Sequence, residues 1–263
     1  MKQKHVQEII DCLGGSREKF YYHKDRYALM LLSYIVGSGM SIRKIKQSKF
    51  KKLLDKPYVQ KILQQSGYSI LTRERLTAFW PNQYSCYLLT LDKWGTGGDW
   101  SRFGAQTSRS GWNLVLQLNF SGQHNNVYQR LVKPGQKHPF EDEWHPIAKN
   151  GGRHTLAWAR IDLDLERDEA LIEEIQTDWI RLALKSMKVA IAIERGNIRK
   201  PRHLPWYLDR LGCDAQVLSR YVKEELKTHM EIWEEAMLAS TINLLREEVG
   251  ISKIYYHSFE SGY

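Results

Sequence analysis

A chain of 263 residues with 42% hydrophobic residues, 11% aromatics and nine Trp has too much core-forming material for a disordered protein, and room for one large domain or two small ones. Its three cysteines, Cys12, Cys86 and Cys213, are far apart and form no CxxC pair, which excludes a disulfide framework or zinc knuckle and suits a reducing, cytoplasmic setting. Of the net charge of +9, all the excess lies in residues 1–75, with 16 Lys and Arg against 6 Asp and Glu, while the rest has 23 against 24.

That asymmetry is the electrostatic footprint of a nucleic-acid-facing module, with an acidic protein partner as the alternative. The N-terminal third reads as short helices. "YALMLLSYIVG" (27–37) ends at Gly37, and is shorter than the roughly 20 apolar residues that span a bilayer, so no membrane partner is expected. After the "GSG" turn, Ser41 caps a helix carrying Ile42 and Ile45, and Ser48 opens one with Phe50, Leu53 and Leu54. Pro57 starts a further helix bearing Val59, Ile62 and Leu63. Arg43, Lys44, Lys46, Lys49, Lys51 and Lys52 fall on the opposite side from the apolar residues. Helix, glycine turn and short basic helix is compatible with a helix-turn-helix reader, which favours DNA over RNA. A basic helical module without base contacts gives the same pattern.

From about residue 79 the texture changes to strands. "YSCYLLTLDKWG" and "GWNLVLQLNF" flank a polar, glycine-rich loop. The long loop 133–154 crowds His138, Glu141, Asp142, Glu143, His145 and His154, but their spacing matches no metal-ligand pattern. "TLAWARIDLDL" and "ALIEEIQTDW" form a hairpin within 155–179, turning near "ERDE". Residues 180–193 read as a helix, "KPRHLPWYLDRLGC" as an irregular connection or short helix, and "EELKTHMEIWEEAMLASTINLLREEVG" as a long amphipathic helix, followed by the strand "ISKIYYHSF". The expected fold is α+β or α/β: a mixed sheet flanked by helices over 79–263, preceded by a basic all-helical module over 1–78.

The hairpin holds the chemistry. Ala157, Ala159, Ile161 and Leu163 alternate with Trp158, Arg160, Asp162 and Asp164. With the turn centred on Asp168, Asp162 lies opposite Glu174 and Arg160 opposite Gln176, and Asp178 extends the polar face. Carboxylates facing each other across a hairpin need a cation between them. Mg²⁺ held by Asp162 and Glu174 is one candidate, and Arg160 in a structural ion-pair network is the other.

An aspartate followed some twelve residues later by Glu-x-(Lys/Gln) resembles the PD-(D/E)xK nuclease core. The resemblance implies that Asp162 and Glu174 hold metal and that Gln176 orients the attacking water. Gln176 stands where that family usually has lysine, and glutamine cannot act as a base. Over residues 154–263, "LIEEIQTDW" and "LREEVGISKIYYHSFESG" also resemble uncharacterised domains of phage and mobile-element proteins, written E-E-I-Q-(S/T)-D-W. That resemblance implies a phage, mobile-element or antiviral-defence context, with Glu174, Gln176, Asp178 and Trp179 forming one unit. An ADP-ribosyltransferase places its paired Glu or Gln two residues before the glutamate, and the order here, Glu174-x-Gln176, is reversed. No G-x-S-x-G elbow or Walker loop is present. The expectation is a nucleic-acid-acting protein, with a metal-dependent nuclease or a non-enzymatic binding factor as its two forms.

Overall fold

Alternating and continuous apolar runs give the strands, and capped amphipathic runs give the helices. In the computed structural model, residues 1–13, 18–66, 69–96, 107–148, 152–199 and 201–257 are described. In chain order the elements begin with α1 (Gln3–Cys12), β1 (Glu18–Tyr22), α2 (Arg26–Val36), β2 (Met40–Ser41), α3 (Ile42–Lys46), α4 (Pro57–Ser66), β3 (Ile70–Leu71) and α5 (Arg73–Ala78). They continue with β4 (Ser85–Thr96), β5 (Gly111–Asn119), α6 (Gly122–Val132), β6 (Thr155–Asp164), β7 (Glu169–Gln176) and α7 (Asp178–Glu194). The last are α8 (Trp206–Asp209), α9 (Ala215–Arg220), α10 (Lys227–Asn243) and β8 (Lys253–Tyr256). The fold is α+β: a mixed six-stranded sheet with flanking helices.

The chain divides into two compact units, residues 21–85 and residues 1–20 with 86–263. The first twenty residues therefore group with the sheet, whereas composition had joined them to the basic module over 1–78. In the 21–85 unit, α2 ends where Gly37 takes φ +52°, a backbone region that favours glycine. The Ser41 hydroxyl accepts from the Lys44 amide at 3.3 Å and caps α3, as its sequence position predicts. Ala28, Leu29, Leu32, Val36, Ile45, Leu54, Val59, Ile62, Leu71 and Leu76 make its core. The unit is not wholly helical, because β2 and β3 pair antiparallel as a short ribbon, Met40 against Leu71.

In the larger unit the sheet order is β1-β4-β5-β6-β7-β8. From β4 to β7 neighbours run antiparallel, and β8 joins β7 in parallel. Helices α7 and α10 pack on β6. Leu114, Leu116 and Leu118 of β5 stand against Ile161, Ala159 and Ala157 of β6, all fully buried or nearly so, and form one apolar face. The long C-terminal helix predicted from the sequence is α10, continued by a π-helical turn over Leu244–Glu248. Among the described residues no helix is long and apolar enough to cross a membrane.

Candidate functional site

The second face of the sheet is polar and just as buried. Asn113, Gln117, Asn119, Trp158, Arg160 and Asp162 are each at most 5% exposed. A chain of hydrogen bonds satisfies part of this face. The Ala148 amide donates to Thr155 Oγ1 at 2.9 Å, and that hydroxyl donates to Asn119 Oδ1 at 2.8 Å. Asn119 Nδ2 donates to Thr90 Oγ1 at 2.8 Å, and Thr90 donates to Gln117 Oε1 at 2.7 Å. Among the described residues, Gln117 Nε2, Asn113 Oδ1 and Arg160 Nη1 are buried without a hydrogen-bond partner.

The β6–β7 hairpin brings the acidic stretch onto this face in a register that differs from the expected one. A four-residue turn, Leu165–Asp168, closes the ladder at Asp164 against Glu169. Asp162 therefore lies opposite Leu171, not Glu174, and Arg160 lies opposite Glu174, not Gln176. The register shifts between Arg160 and Ile161, where Glu173 is the extra residue of a β-bulge. β8 pairs with β7 only over Glu169–Ile172, so the bulge begins where that partner ends.

The bulge turns two consecutive glutamates toward one cation. Arg160 Nε lies 3.1 Å from Glu173 Oε2, and Arg160 Nη2 lies 3.1 Å from Glu174 Oε2. Both the Arg160 and Glu173 side chains are almost fully buried. Asp162 is instead ion-paired to Arg109, whose guanidinium also reaches Asp164 at 3.3 Å. Hydrogen bonding to Asp162 raises the Arg109 pKa further. Asp162 and Glu174 are thus held apart, each against its own arginine, and do not fit a shared Mg²⁺.

Beyond the bulge the strand ends sooner than the sequence predicts. Thr177 accepts from the Ile180 amide at 3.3 Å and caps α7, so Asp178 and Trp179 open a helix instead of closing a strand. Trp179 is fully buried among Phe120, Tyr128 and Phe140, and its indole N–H donates to the Tyr221 hydroxyl at 3.0 Å. Its role is core packing. Asp178 is 6% exposed and turns toward the polar face.

Asp178 gathers the site. His145 Nδ1 donates to its Oδ2 at 2.8 Å, and the Trp158 indole N–H reaches the same oxygen at 3.2 Å. Gln176 Nε2 and Arg181 Nη2 donate to its Oδ1 at 2.7 and 2.5 Å. Burial opposes the charge on Asp178, but the bonds from His145 and Arg181 overcome it and hold the carboxyl down to about 2. Conversely, the hydrogen bond to Asp178 raises the His145 pKa against burial, helped by the charges of Asp178, Asp142 and Glu174. The His145 side chain is 21% exposed, whereas that of Asp178 is 7% exposed. Trp94 stacks parallel to Trp158, with ring centroids 6.4 Å apart, beside His145.

Of the residues singled out from sequence, Gln176 and Asp178 come together, Glu174 is ion-paired to Arg160, and Asp162 and Asp164 belong to the Arg109 pair. His145 is the member that the sequence did not mark. Its only signal was the histidine and acid density of the 133–154 loop, and Asp178 lies 33 residues away. Asp142, His145 and Asp178 also bring ligand atoms within 4.8 Å of one another. In the 21–85 unit, Arg43, Lys44, Lys46, Lys49, Lys51 and Lys52 are all exposed along α3 and the turn that follows it.

The site thus defined is a histidine–carboxylate pair on the buried polar face of an α+β sheet. No family model, curated protein or solved structure matches the chain.

Proposed function

We propose that the chain acts on nucleic acid as a hydrolase of the phosphodiester backbone, with His145 as general acid–base and Asp178 as the group that orients it. The carrying observation is the 2.8 Å bond from Nδ1 of partly exposed His145 to the buried carboxylate of Asp178. Such a bond fixes the imidazole tautomer, stabilises its protonated form and leaves Nε2 to exchange a proton with substrate. Gln176 and Trp158 donate to Asp178 and restrain it. The exposed cations Arg43, Lys44, Lys46, Lys49, Lys51 and Lys52 support nucleic acid as the substrate class, since they suit phosphate contact. The E-E-I-Q-T-D-W resemblance supports a phage, mobile-element or defence setting.

The test is cleavage of labelled single- and double-stranded DNA and RNA, with Mg²⁺ or with EDTA. Cleavage that persists in EDTA and falls by roughly 10²–10⁴-fold in His145→Ala supports the reading. Its rate should rise with pH through a value above the ordinary histidine range, because the hydrogen bond to Asp178 raises the His145 pKa. Cleavage that requires Mg²⁺ and is lost in Asp162→Asn, with His145→Ala unchanged, would overturn it in favour of a two-carboxylate metal mechanism.

A second reading has its own observation. Arg160 between Glu173 and Glu174 supports the reading of this face as a structural ion-pair network in a non-enzymatic binding factor. Nucleic-acid binding with a steep salt dependence, and no turnover under any of these conditions, favours it.

A further inference from the structure

The loop that presents His145 carries a second convergence of side chains that the His145–Asp178 pair does not use. His138, Glu141 and His154 each bring one ligand atom within 4.8 Å of the others. His154 Nδ1 lies 2.7 Å from Glu141 Oε1, and the two imidazole rings stand with centroids 4.3 Å apart. The His154 and Glu141 side chains are 5% and 14% exposed.

The cluster is anchored on every side. The Phe120 amide donates to the His154 carbonyl at 2.9 Å, which fixes the residue just before β6. Arg210 donates to the His138 carbonyl at 3.3 Å. The Tyr128 hydroxyl, on α6, lies 3.2 Å from Nδ1 of His138, so its Nε2 is the nitrogen left to bind. A partner on the remote nitrogen is how metal-bound histidines fix their tautomer and orientation. A His154–Glu141 hydrogen bond alone would need neither His138 nor Tyr128. Two imidazoles closing on one carboxylate form a donor set for a single shared cation.

Donor chemistry names the cation. Mg²⁺ and Ca²⁺ take oxygen ligands, whereas two imidazoles and a carboxylate suit Zn²⁺, which commonly has three protein ligands of this kind and a fourth position for water or substrate. We infer that His138, Glu141 and His154 form a binding site for one Zn²⁺ ion. The ion ties the loop to the start of β6, four residues before His145 in the case of Glu141. This inference does not depend on the proposed hydrolase activity.

The experiment uses the untagged 263-residue chain, stripped with EDTA, dialysed against Zn²⁺ and assayed for metal by elemental analysis and for thermal stability. The expected result is one Zn²⁺ per chain, a raised Tm on loading, and, with Co²⁺ substituted, visible absorption of a nitrogen–oxygen site without thiolate bands. Glu141→Gln and His154→Gln should weaken binding by more than the roughly 10–100-fold that loss of an outer-shell partner costs. His145→Ala and Asp178→Asn should bind one Zn²⁺ like the wild type. Wild-type protein that keeps no zinc above the dialysis blank and shows no Tm shift would overturn the site. So would zinc lost in His145→Ala or Asp178→Asn but retained in His154→Gln. Absence of zinc from the wild type overturns the site even where a variant does not fold, and the variants that fold decide which cluster holds the ion.

Discussion

The two faces of the sheet are buried to nearly the same degree and are held by different forces. On one, Leu114, Leu116, Leu118, Ala157, Ala159 and Ile161 gain from removal of apolar area from water, a non-directional term that tolerates small rearrangement. On the other, Asn119, Thr90, Gln117, Arg160, Glu173 and Asp162 depend on particular hydrogen bonds and ion pairs, which satisfy part of the buried polar face. Burial alone therefore says little about a strand residue. The lesson is that a sheet spends directional interactions on the face where it builds chemistry, and relies on packing for the other.

The largest effect should come from the polar face. Arg160→Ala leaves Glu173 as a buried unpaired carboxylate and should lower stability by about 3–5 kcal/mol in urea unfolding. If the charges matter only as a pair, Arg160→Met with Glu173→Leu should recover most of that loss; failure to recover would assign the cost to shape. On the apolar face, Leu116→Ala should cost about 2–5 kcal/mol by cavity formation, with no change in salt dependence. Thr90→Val removes the hydroxyl between Asn119 and Gln117 while keeping the volume, and should cost about 1–3 kcal/mol by the same unfolding assay. A neutral result there would mean that the Asn119–Thr90–Gln117 chain is dispensable.

The smallest effect is in pH. Burial lowers the His229 pKa to about 4 and, with the charges of His229 and His154, that of His124 to about 2. The unfolded chain takes up protons near pH 6.5 that the folded chain refuses. Their contribution is full above that pH and is lost as pH falls toward the folded values. Each should cost up to about 1.4 kcal/mol per pH unit below 6.5. His145 has the opposite sign, because its pKa is raised. Its contribution is present below pH 6.5 and is lost as pH rises through its folded value. Urea unfolding at pH 7.5 and 5.5 should therefore show lower stability at 5.5, and His145→Ala should steepen that fall.

The strands from β4 to β8 and the polar or apolar sense of β6 were readable because alternation survives burial, whereas β1, β2 and β3 lie in a stretch that reads as helical. Ala157, Ala159 and Ile161 against Trp158, Arg160 and Asp162 is a period-two pattern whatever the partner. Register was not readable, because it depends on where the turn closes and on the bulge, and neither has a fixed sequence sign. The start of α7 was within reach: Thr177 followed by Asp178 is a cap and first-turn acid, but the apolar run through Trp179 looked like strand. α6 carries a similar sign in Ser121, which accepts from the His124 amide at 3.3 Å. The His145–Asp178 pair and the His138–Glu141–His154 cluster could not be read from spacing, since each joins a loop to the start of an element that follows it.

The bulge at Glu173 acts as a phase shift in the chain. Before it, even-numbered Ala170 and Ile172 point to the apolar side; after it, even-numbered Glu174 and Gln176 point to the polar side. Parity changes once, at a single residue. Deletion of Glu173 would remove the extra residue and leave Ile172 opposite Ile161 and Glu174 opposite Arg160, so both halves of β7 would keep their sides while Arg160 lost one of its two carboxylates. The one extra residue thus adds a second carboxylate to Arg160 without changing the side that either half of the strand faces.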